Sequence, residues 1–327
     1  MFVGKKVLFI GPKFHNYEKM IKGELENKGA SVVFYPERSY GYDFNIINNF
    51  FPSKLESFQN RHYNDILEKC EGESFDYLFV IRGYMMPSSF LKVFRSNNPS
   101  AVLIMYQWDS QKTNPFMHLI GLFDKVKTFD FKDHSDLSIE YVPLFYTLDV
   151  QKISSSASKM YDYDFFFMGF FFPERYEAVK KFKIYCEENG YKLKPFLFMP
   201  ITTRIKYFFK RVALDKSIVS FKPMERKEYL SILKSSRVMV DVSNPRQTGL
   251  AMRVIESLAC GTKIATNNRN IQKSKKISES GMVSLFDLKN IEIDKTFVYS
   301  DFCTSENLVL SLPDWIDLVF SDNNDEE

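Results

Sequence analysis

The sequence predicts an α/β protein of two doubly wound halves that face each other across a cleft. Three observations carry this. Runs such as Ala101–Tyr106 and Phe165-Phe166-Phe167 are apolar on every residue, as strands buried on both faces are. These runs alternate with stretches of helical spacing, the pattern of a parallel sheet covered on both sides. The chain, 327 residues, is long for one core, and the serine-rich stretch QKISSSASKM at 151–160 breaks the alternation before it restarts.

In the first half, Lys6–Ile10 reads as a buried strand stopped by Gly11-Pro12, and Tyr17–Lys28 as a helix closed by Gly29. Ser31–Tyr35 is the next strand. A long polar stretch and a helix near Asn64–Cys70 lead to strand Asp76–Ile81. A helix near Ser88–Arg95, strand Ala101–Tyr106, a short helix near Phe116–Leu122 and strands Val126–Phe129 and Ile139–Val142 complete residues 1–150 as a Rossmann-like domain. Residues 151–305 form the second such domain. Its strands are Tyr163–Gly169, Lys192–Phe198, Ser217–Phe221, Arg237–Val242 and Lys263–Thr266. Its helices are Glu174–Asn189, Thr203–Ala213, Arg226–Ser235 and Leu250–Cys260. Residues 306–327 are a tail whose amphipathic part, Leu310–Phe320, is expected to pack back onto the first half.

Hydrophobic residues are 45% of the chain and charged residues 26%, the balance of a soluble globular protein. Aromatic residues are 16%, and much of that content falls in the buried strands. A net charge of +3 is too mild to argue for nucleic acid, so no such partner is expected. Cys70, Cys186, Cys260 and Cys303 are far apart and form no CxxC pair. No metal or disulfide framework is therefore expected, and a reducing cytoplasm is the simplest location. No apolar run is long enough to span a bilayer, and the chain enters a strand at once rather than a signal peptide.

The stretch GLAMRVIESLACGTKIATNN, 249–268, holds the densest chemistry. Open parallel sheets bind ligands beyond the carboxyl ends of their strands, and the loop from Ser243 to Gly249 follows such an end. Thr248 is placed to cap the next helix, and Gly249 to admit a ligand close to the backbone. The helix's free first-turn amides then favour a phosphate. Glu256 is placed to accept hydrogen bonds from both hydroxyls of a ribose. Arg253, three residues earlier on the same face, can pair with phosphate or orient Glu256. The plainer reading is a surface ion pair worth ~0.3 kcal/mol.

The full string resembles the nucleotide-sugar site of glycosyltransferases with the GT-B fold. The matching residues are Gly249, Arg253, Glu256, Ser257, Leu258, Ala259, Cys260, Gly261 and Thr262. The arginine three residues before the glutamate resembles the spore-maturation and polysaccharide-biosynthesis branch. The resemblance implies an acceptor-binding first domain, a nucleotide-sugar-binding second domain, and Glu256 on the donor ribose. One departure bears on the donor sugar: many GT-B enzymes carry a further glutamate where this chain has Thr248. YDYDFFFMGFFFPER, 161–175, resembles the first strand and glycine loop of that second domain. Gly169 would admit a diphosphate there, and Arg175 would neutralise it or stand solvated in a first helical turn. MYQWDSQKTNP, FDKVKTFDFKDHSDL and VPLFY resemble first-domain segments of the same branch.

Sugar transfer to a hydroxyl is helped by a base at the acceptor oxygen. Asp109 follows strand Ala101–Tyr106 beside Trp108, whose flat face suits a sugar ring, and is the first candidate; its alternative is a turn cap. His134, in the loop after Val126–Phe129, is the second. Asp130, Arg82 and Gly83 complete the same rim. Asp162 and Asp164 form a DxD, but at the entering end of a strand, where solvation explains them. GT-B enzymes need no metal there, so no metal and no cofactor are expected, the nucleotide sugar being substrate. Gly11-Pro12-Lys13 lacks the spacing of a phosphate loop.

Arg204, Lys206, Lys210 and Arg211, interleaved with Ile205, Tyr207, Phe208 and Phe209, form a basic amphipathic segment. It suits either an ordinary half-buried helix or contact with the cytoplasmic face of the inner membrane. The expected function is transfer of a sugar from a nucleotide donor to a surface glycan such as lipopolysaccharide or capsule, lipid-linked or not. Its rivals are a non-catalytic nucleotide-sugar or glycan binder and a sugar-nucleotide epimerase of the same fold. Retaining and inverting chemistry both stay open.

Overall fold

Continuous apolar strands need cover on both faces, and the chain supplies it twice. The computed structural model describes residues 2–150, 160–209, 211, 213–301 and 307–321. All of the expected linker except Met160 lies outside these residues, as does Cys303. By its contacts the chain divides into two units, residues 1–143 with 312–327, and residues 144–311. Residues 144–150 thus belong with the second unit.

The first unit runs β1 (Lys6–Gly11), α1 (Tyr17–Asn27), β2 (Ser31–Pro36), α2 (Tyr42–Phe50), α3 (Leu55–Lys69), β3 (Tyr77–Ile81), α4 (Ser88–Asn97), β4 (Val102–Gln107), β5 (Lys125–Thr128), α5 (Phe131–Leu137) and β6 (Glu140–Tyr141). Its sheet is parallel, in the order β2-β1-β3-β4-β5-β6. Leu8, Leu78 and Leu103 are buried in register on one face, against Tyr63, Phe90 and Phe94 of α3 and α4. The order reverses between β1 and β3, so the carboxyl ends of those two strands flank the switch point where such sheets hold ligands.

The second unit runs β7 (Phe145–Tyr146), β8 (Tyr163–Phe170), α6 (Pro173–Glu188), β9 (Leu193–Phe198), α7 (Ile201–Phe209), β10 (Val219–Ser220), α8 (Arg226–Lys234), β11 (Ser236–Asp241), α9 (Met252–Ala259), β12 (Lys263–Thr266), α10 (Lys275–Ser278), β13 (Val283–Leu285), α11 (Lys295–Tyr299) and β14 (Leu310–Ser311). The main sheet is parallel, β10-β9-β8-β11-β12-β13, with its switch point between β8 and β11. β7 and β14 pair separately. Phe165, Phe167, Val179, Phe182 and Val240 lie in one buried cluster of this unit.

The last helix, α12 (Leu312–Phe320), returns to the first unit, as its amphipathic pattern predicts. Trp315 is fully buried against Tyr106 and Phe79, with ring centroids 4.8 and 6.2 Å away. Phe320 packs on Phe2 and Phe79. The helix ends on two lysines of β5: Lys127 Nζ donates to the Leu318 carbonyl at 2.7 Å, and Lys125 Nζ to that of Phe320 at 2.7 Å. Cations satisfying the last carbonyls oppose the negative helix end. Burial of the Lys127 chain is tolerated because its ammonium also meets Glu140, 3.0 Å away.

Several sequence expectations change. The polar stretch after β2 contains α2 and most of α3, and α5 replaces the loop expected around His134. The helix expected from Leu250 begins at Met252. We predict that Trp315→Ala lowers the stability of the first unit by about 3–5 kcal/mol, measured by urea unfolding; a loss within error of zero would show that α12 is not part of its core.

Candidate functional site

Both sheets gather charge at their switch points. In the second unit Asp241 ends β11 and is almost fully buried. Its Oδ2 accepts from Thr266 Oγ1 at 2.7 Å, at the end of β12. Its Oδ1 lies 2.6 Å from Arg253 Nη2, off the angle of a good hydrogen bond, so the contact is chiefly an ion pair. Arg253 Nη2 also donates to the Val242 carbonyl at 2.9 Å. Arg253 is thus turned to the strand end.

Arg175, in the first turn of α6, joins the cluster. Its Nη1 donates to the carbonyl of Phe170, the last residue of β8, at 3.0 Å, and its guanidinium stacks over Phe172. Gly169 makes room for it, because a Cβ there would stand 3.4 Å from Arg175 Nη1 and 3.3 Å from the Phe167 ring. Burial, and then the charge of Arg253, pull the Arg175 guanidinium down to about 10, with Asp241 opposing the shift. Arg175, Arg253 and Asp241 thus bring two positive charges and one negative to these strand ends.

The loop between β11 and α9 is held from β12. Asn267 Oδ1 accepts from the Ser243 amide at 2.8 Å, and Asn268 Nδ2 donates to the carbonyls of Thr248 and Gly249, each at 3.3 Å. This anchoring keeps Thr248 short of the helix. The N-cap of α9 is Ala251, with no side-chain cap, so the expected capping role of Thr248 is corrected. Gly249 is buried in the same loop.

Glu256 is 2% exposed. Its partner is Arg226 at the start of α8, with Nη1 2.7 Å from Oε1. Arg226 also donates from Nε to Asp149 Oδ2 at 2.9 Å and from Nη2 to Thr147 Oγ1 at 2.9 Å. Burial works against the Asp149 charge, but Arg226 and Thr147 outweigh it and hold the carboxyl below its ordinary range. One guanidinium thus sits between two carboxylates.

In the first unit Glu37, just past β2, is fully buried. It accepts from Arg82 Nε at 3.1 Å, from Arg82 Nη2, and from the Tyr84 amide at 2.9 Å. Arg82 Nη1 reaches Asp109 Oδ2 at 3.2 Å. Arg82 and Gly83 both take left-handed backbone angles, φ 69° and 63°. The arginine is held there because its amide donates to Tyr106 O at 3.0 Å and its carbonyl accepts from Gln107 and Asn114. Burial opposes the Glu37 charge and raises its carboxyl despite Arg82. Burial likewise opposes the Arg82 charge, but Glu37 and Asp109 outweigh it and raise the guanidinium.

Asp109 is about a quarter exposed (24%), and Trp108 beside it meets Tyr17 edge-on at 5.6 Å. Asp130 is the N-cap of α5, its buried carboxylate accepting from the Lys132 and Asp133 amides. His134 lies within α5, and its Nδ1 is 2.6 Å from the carbonyl of Ile139, beyond the far end of that helix from Asp130. The structure therefore brings Arg82 and Asp109 together and turns His134 toward the entry of β6. Glu37, Asp241, Arg226 and Asn268 are among the participants that the sequence analysis missed, with Asp149, Thr147, Thr266 and Asn267. Asp164 accepts from the Lys192 amide at 2.8 Å at the entering end of β8, a local structural bond. Among the described residues no cluster of three His, Cys, Asp or Glu could hold a metal ion.

No family model and no curated protein sequence matches the chain. Solved structures do. OtsA, in its apo form, superposes with a TM-score of 0.58 over 86% of this chain and 88% of its own, at 8% identity. An α-glucosyltransferase in complex with UDP and a 13-mer DNA containing a central A:G mismatch gives 0.55 over 87% of each chain, at 12% identity. The UDP-GlcNAc 2-epimerase of Methanocaldococcus jannaschii, in complex with UDP-GlcNAc and UDP, gives 0.52 over 87% and 89%, at 14% identity. The fold is GT-B. At such identities the likeness is one of fold.

The Glu37–Arg82 pair makes a testable demand on the first unit. Removing one partner of a buried pair costs about 3–5 kcal/mol, because the other charge is stranded. Glu37→Leu and Arg82→Met should each be strongly destabilising, and the double variant much less so than their sum. Additive losses in urea unfolding would show that the two groups are uncoupled.

Proposed function

We propose that this chain is a glycosyltransferase that moves a sugar from a nucleotide-sugar donor to a hydroxyl of a surface glycan, of the kind built into lipopolysaccharide or capsule. The carrying observation is that Arg175, held on the Phe170 carbonyl at the end of β8, and Arg253, paired with Asp241 at the end of β11, both stand at the β8–β11 switch point. A GT-B sheet binds ligands at this edge, and a diphosphate would neutralise the excess charge that already weighs on Arg175. Donors fixed where the leaving diphosphate gains charge lower the barrier without a metal. Gly169 and the Thr248–Gly249 loop lie beside this position, and Glu256 takes the ribose, sharing its carboxylate with Arg226.

In the acceptor step, an acceptor oxygen bonds to the anomeric carbon as the bond to the diphosphate breaks. Asp109 receives the hydroxyl proton. Its exposure and its place at the carboxyl edge of β4 support it over His134, whose ring is turned away to Ile139. Trp108 and Arg82 flank it, and Asp130 supports the rim as a helix cap. The resemblance to the polysaccharide-biosynthesis branch supports the glycan acceptor. An epimerase reading is favoured by the superposition on the UDP-GlcNAc 2-epimerase, and a non-catalytic binder would keep the donor cluster alone.

Nucleoside diphosphates, screened by thermal shift and then calorimetry, test the donor site. At least one should stabilise the protein, and Arg175→Met and Arg253→Met should each weaken it about 10–100-fold, the worth of a charge-assisted hydrogen bond or two. Glu256→Gln should weaken a nucleoside diphosphate but spare inorganic diphosphate. No stabilisation by any nucleotide would remove the proposal. Nucleotide release only on adding glycan acceptor identifies a transferase; release or sugar inversion without acceptor identifies the epimerase. Asp109→Asn should keep donor affinity and lower transfer by about 10²–10⁴-fold; transfer near normal would move the base elsewhere.

A further inference from the structure

Helix α7 is inside out. At about 100° per residue, Ile201, Ile205, Phe208 and Phe209 fall on one face and Thr203 and Tyr207 on the opposite one. Tyr207 is the inward side, packed edge-on against Phe171 at 5.1 Å. The apolar face is the outward one: Ile201 is 68% exposed, Ile205 51%, and Phe208 and Phe209 78% each. Phe221, also exposed, extends this surface through Arg204, which stacks on its ring at 4.2 Å. Large exposed apolar surfaces on a folded chain mark a contact.

Charge names the occupant. Between Pro195 and Leu214 the chain carries Arg204, Lys206, Lys210 and Arg211 and no acidic residue. Arg204 and Arg211 are exposed. Exposed apolar side chains with cations alongside are what an anionic bilayer surface takes up, the rings entering the headgroup boundary and the cations meeting lipid phosphates. A second exposed stripe, Tyr42, Ile46 and Phe50 on α2, lacks this: residues 42–58 hold Asp43, Glu56 and only Lys54. Among the described residues no helix is long and apolar enough to cross a membrane, so the contact is a surface one.

We propose that the outward face of α7 docks the second unit onto an anionic phospholipid surface, with Phe208 and Phe209 inserted and Arg204 and Arg211 on the headgroups. This is independent of what the β8–β11 edge binds.

Sedimentation of the full chain with vesicles tests it. Phosphatidylcholine vesicles with about a quarter phosphatidylglycerol should bind the protein, and pure phosphatidylcholine should bind it at least about tenfold less, since each cation near an anionic surface raises partitioning roughly fivefold. Phe208→Ser with Phe209→Ser should lower binding by on the order of a hundredfold. Arg204→Gln with Arg211→Gln should remove the preference for anionic lipid. Tyr42→Ser with Phe50→Ser, an equal loss of exposed aromatics elsewhere, should leave binding unchanged. Circular dichroism confirms that each variant is folded. The proposal fails if the wild type ignores anionic vesicles, if the Phe208/Phe209 variant binds them as well as the wild type, or if that variant instead dissolves a dimer.

Discussion

Asp241 stands at the end of a strand with water excluded from its side chain, and its charge has to be answered there. Arg253 answers it at 2.6 Å and Thr266 occupies its other oxygen. Moving two such ions out of water costs several kcal/mol apiece, and hydrophobic residues of similar volume would stabilise the unit at least as well. An ion pair retained in that position is better explained by what it presents than by what it holds up. It presents Arg253 near Arg175, whose guanidinium is pulled down by burial and then by the Arg253 charge.

The first unit solves the matching problem with opposite emphasis. Glu37, Arg82 and Asp109 form a chain in which one guanidinium meets two carboxylates, so no positive charge is left over. Glu37 is wholly buried while Asp109 retains exposure, which makes the inner carboxylate the anchor and the outer one the group that meets solvent. The left-handed backbone at Arg82 belongs to this arrangement. Gln107 and Asn114 clamp its carbonyl, and its side chain is thereby aimed across the ends of β2 and β4. One edge that attracts an anion and one that offers a carboxylate suit a donor diphosphate and an acceptor hydroxyl respectively, on the proposed reading.

The strands were legible because burial on both faces leaves an apolar run that few other structures produce. α2 and α5 were not, since their sequences, YDFNIINNF and FKDHSDL, bury little more than Phe44 in one and Phe131 and Asp133 in the other. Periodicity has nothing to mark in a helix that lies on the surface. Among site residues, Arg175, Arg253 and Glu256 announced themselves through the resemblance, but their partners did not. Asp241 reads as an ordinary strand end, and the pairing of Glu256 with Arg226 joins residues brought together only when α8 and α9 pack on one sheet. Local spacing favoured Arg253 as the partner of Glu256; the stronger pull of a buried carboxylate at the strand end won. Likewise the cap expected of Thr248 gave way to Asn268, whose amide fixes the loop from β12.

Helix α9 consequently divides its two charges between clusters of opposite sign. Arg253, near its start, belongs to the group with a guanidinium in excess. Glu256, one turn on, belongs to the group in which Arg226 is shared by two carboxylates. Residues three apart on a helix stand about 4.5 Å apart along its axis, so the sign of the local charge changes within the span of a nucleoside. A ligand matched to both ends carries an anionic group at one end and neutral hydroxyl donors at the other, which is the charge order of a nucleoside diphosphate read from phosphate to ribose. A simple polyanion would satisfy the first cluster and be repelled by the second. On the proposed reading the helix would favour a ligand of that charge order, through partners, Asp241 and Arg226, that lie outside it.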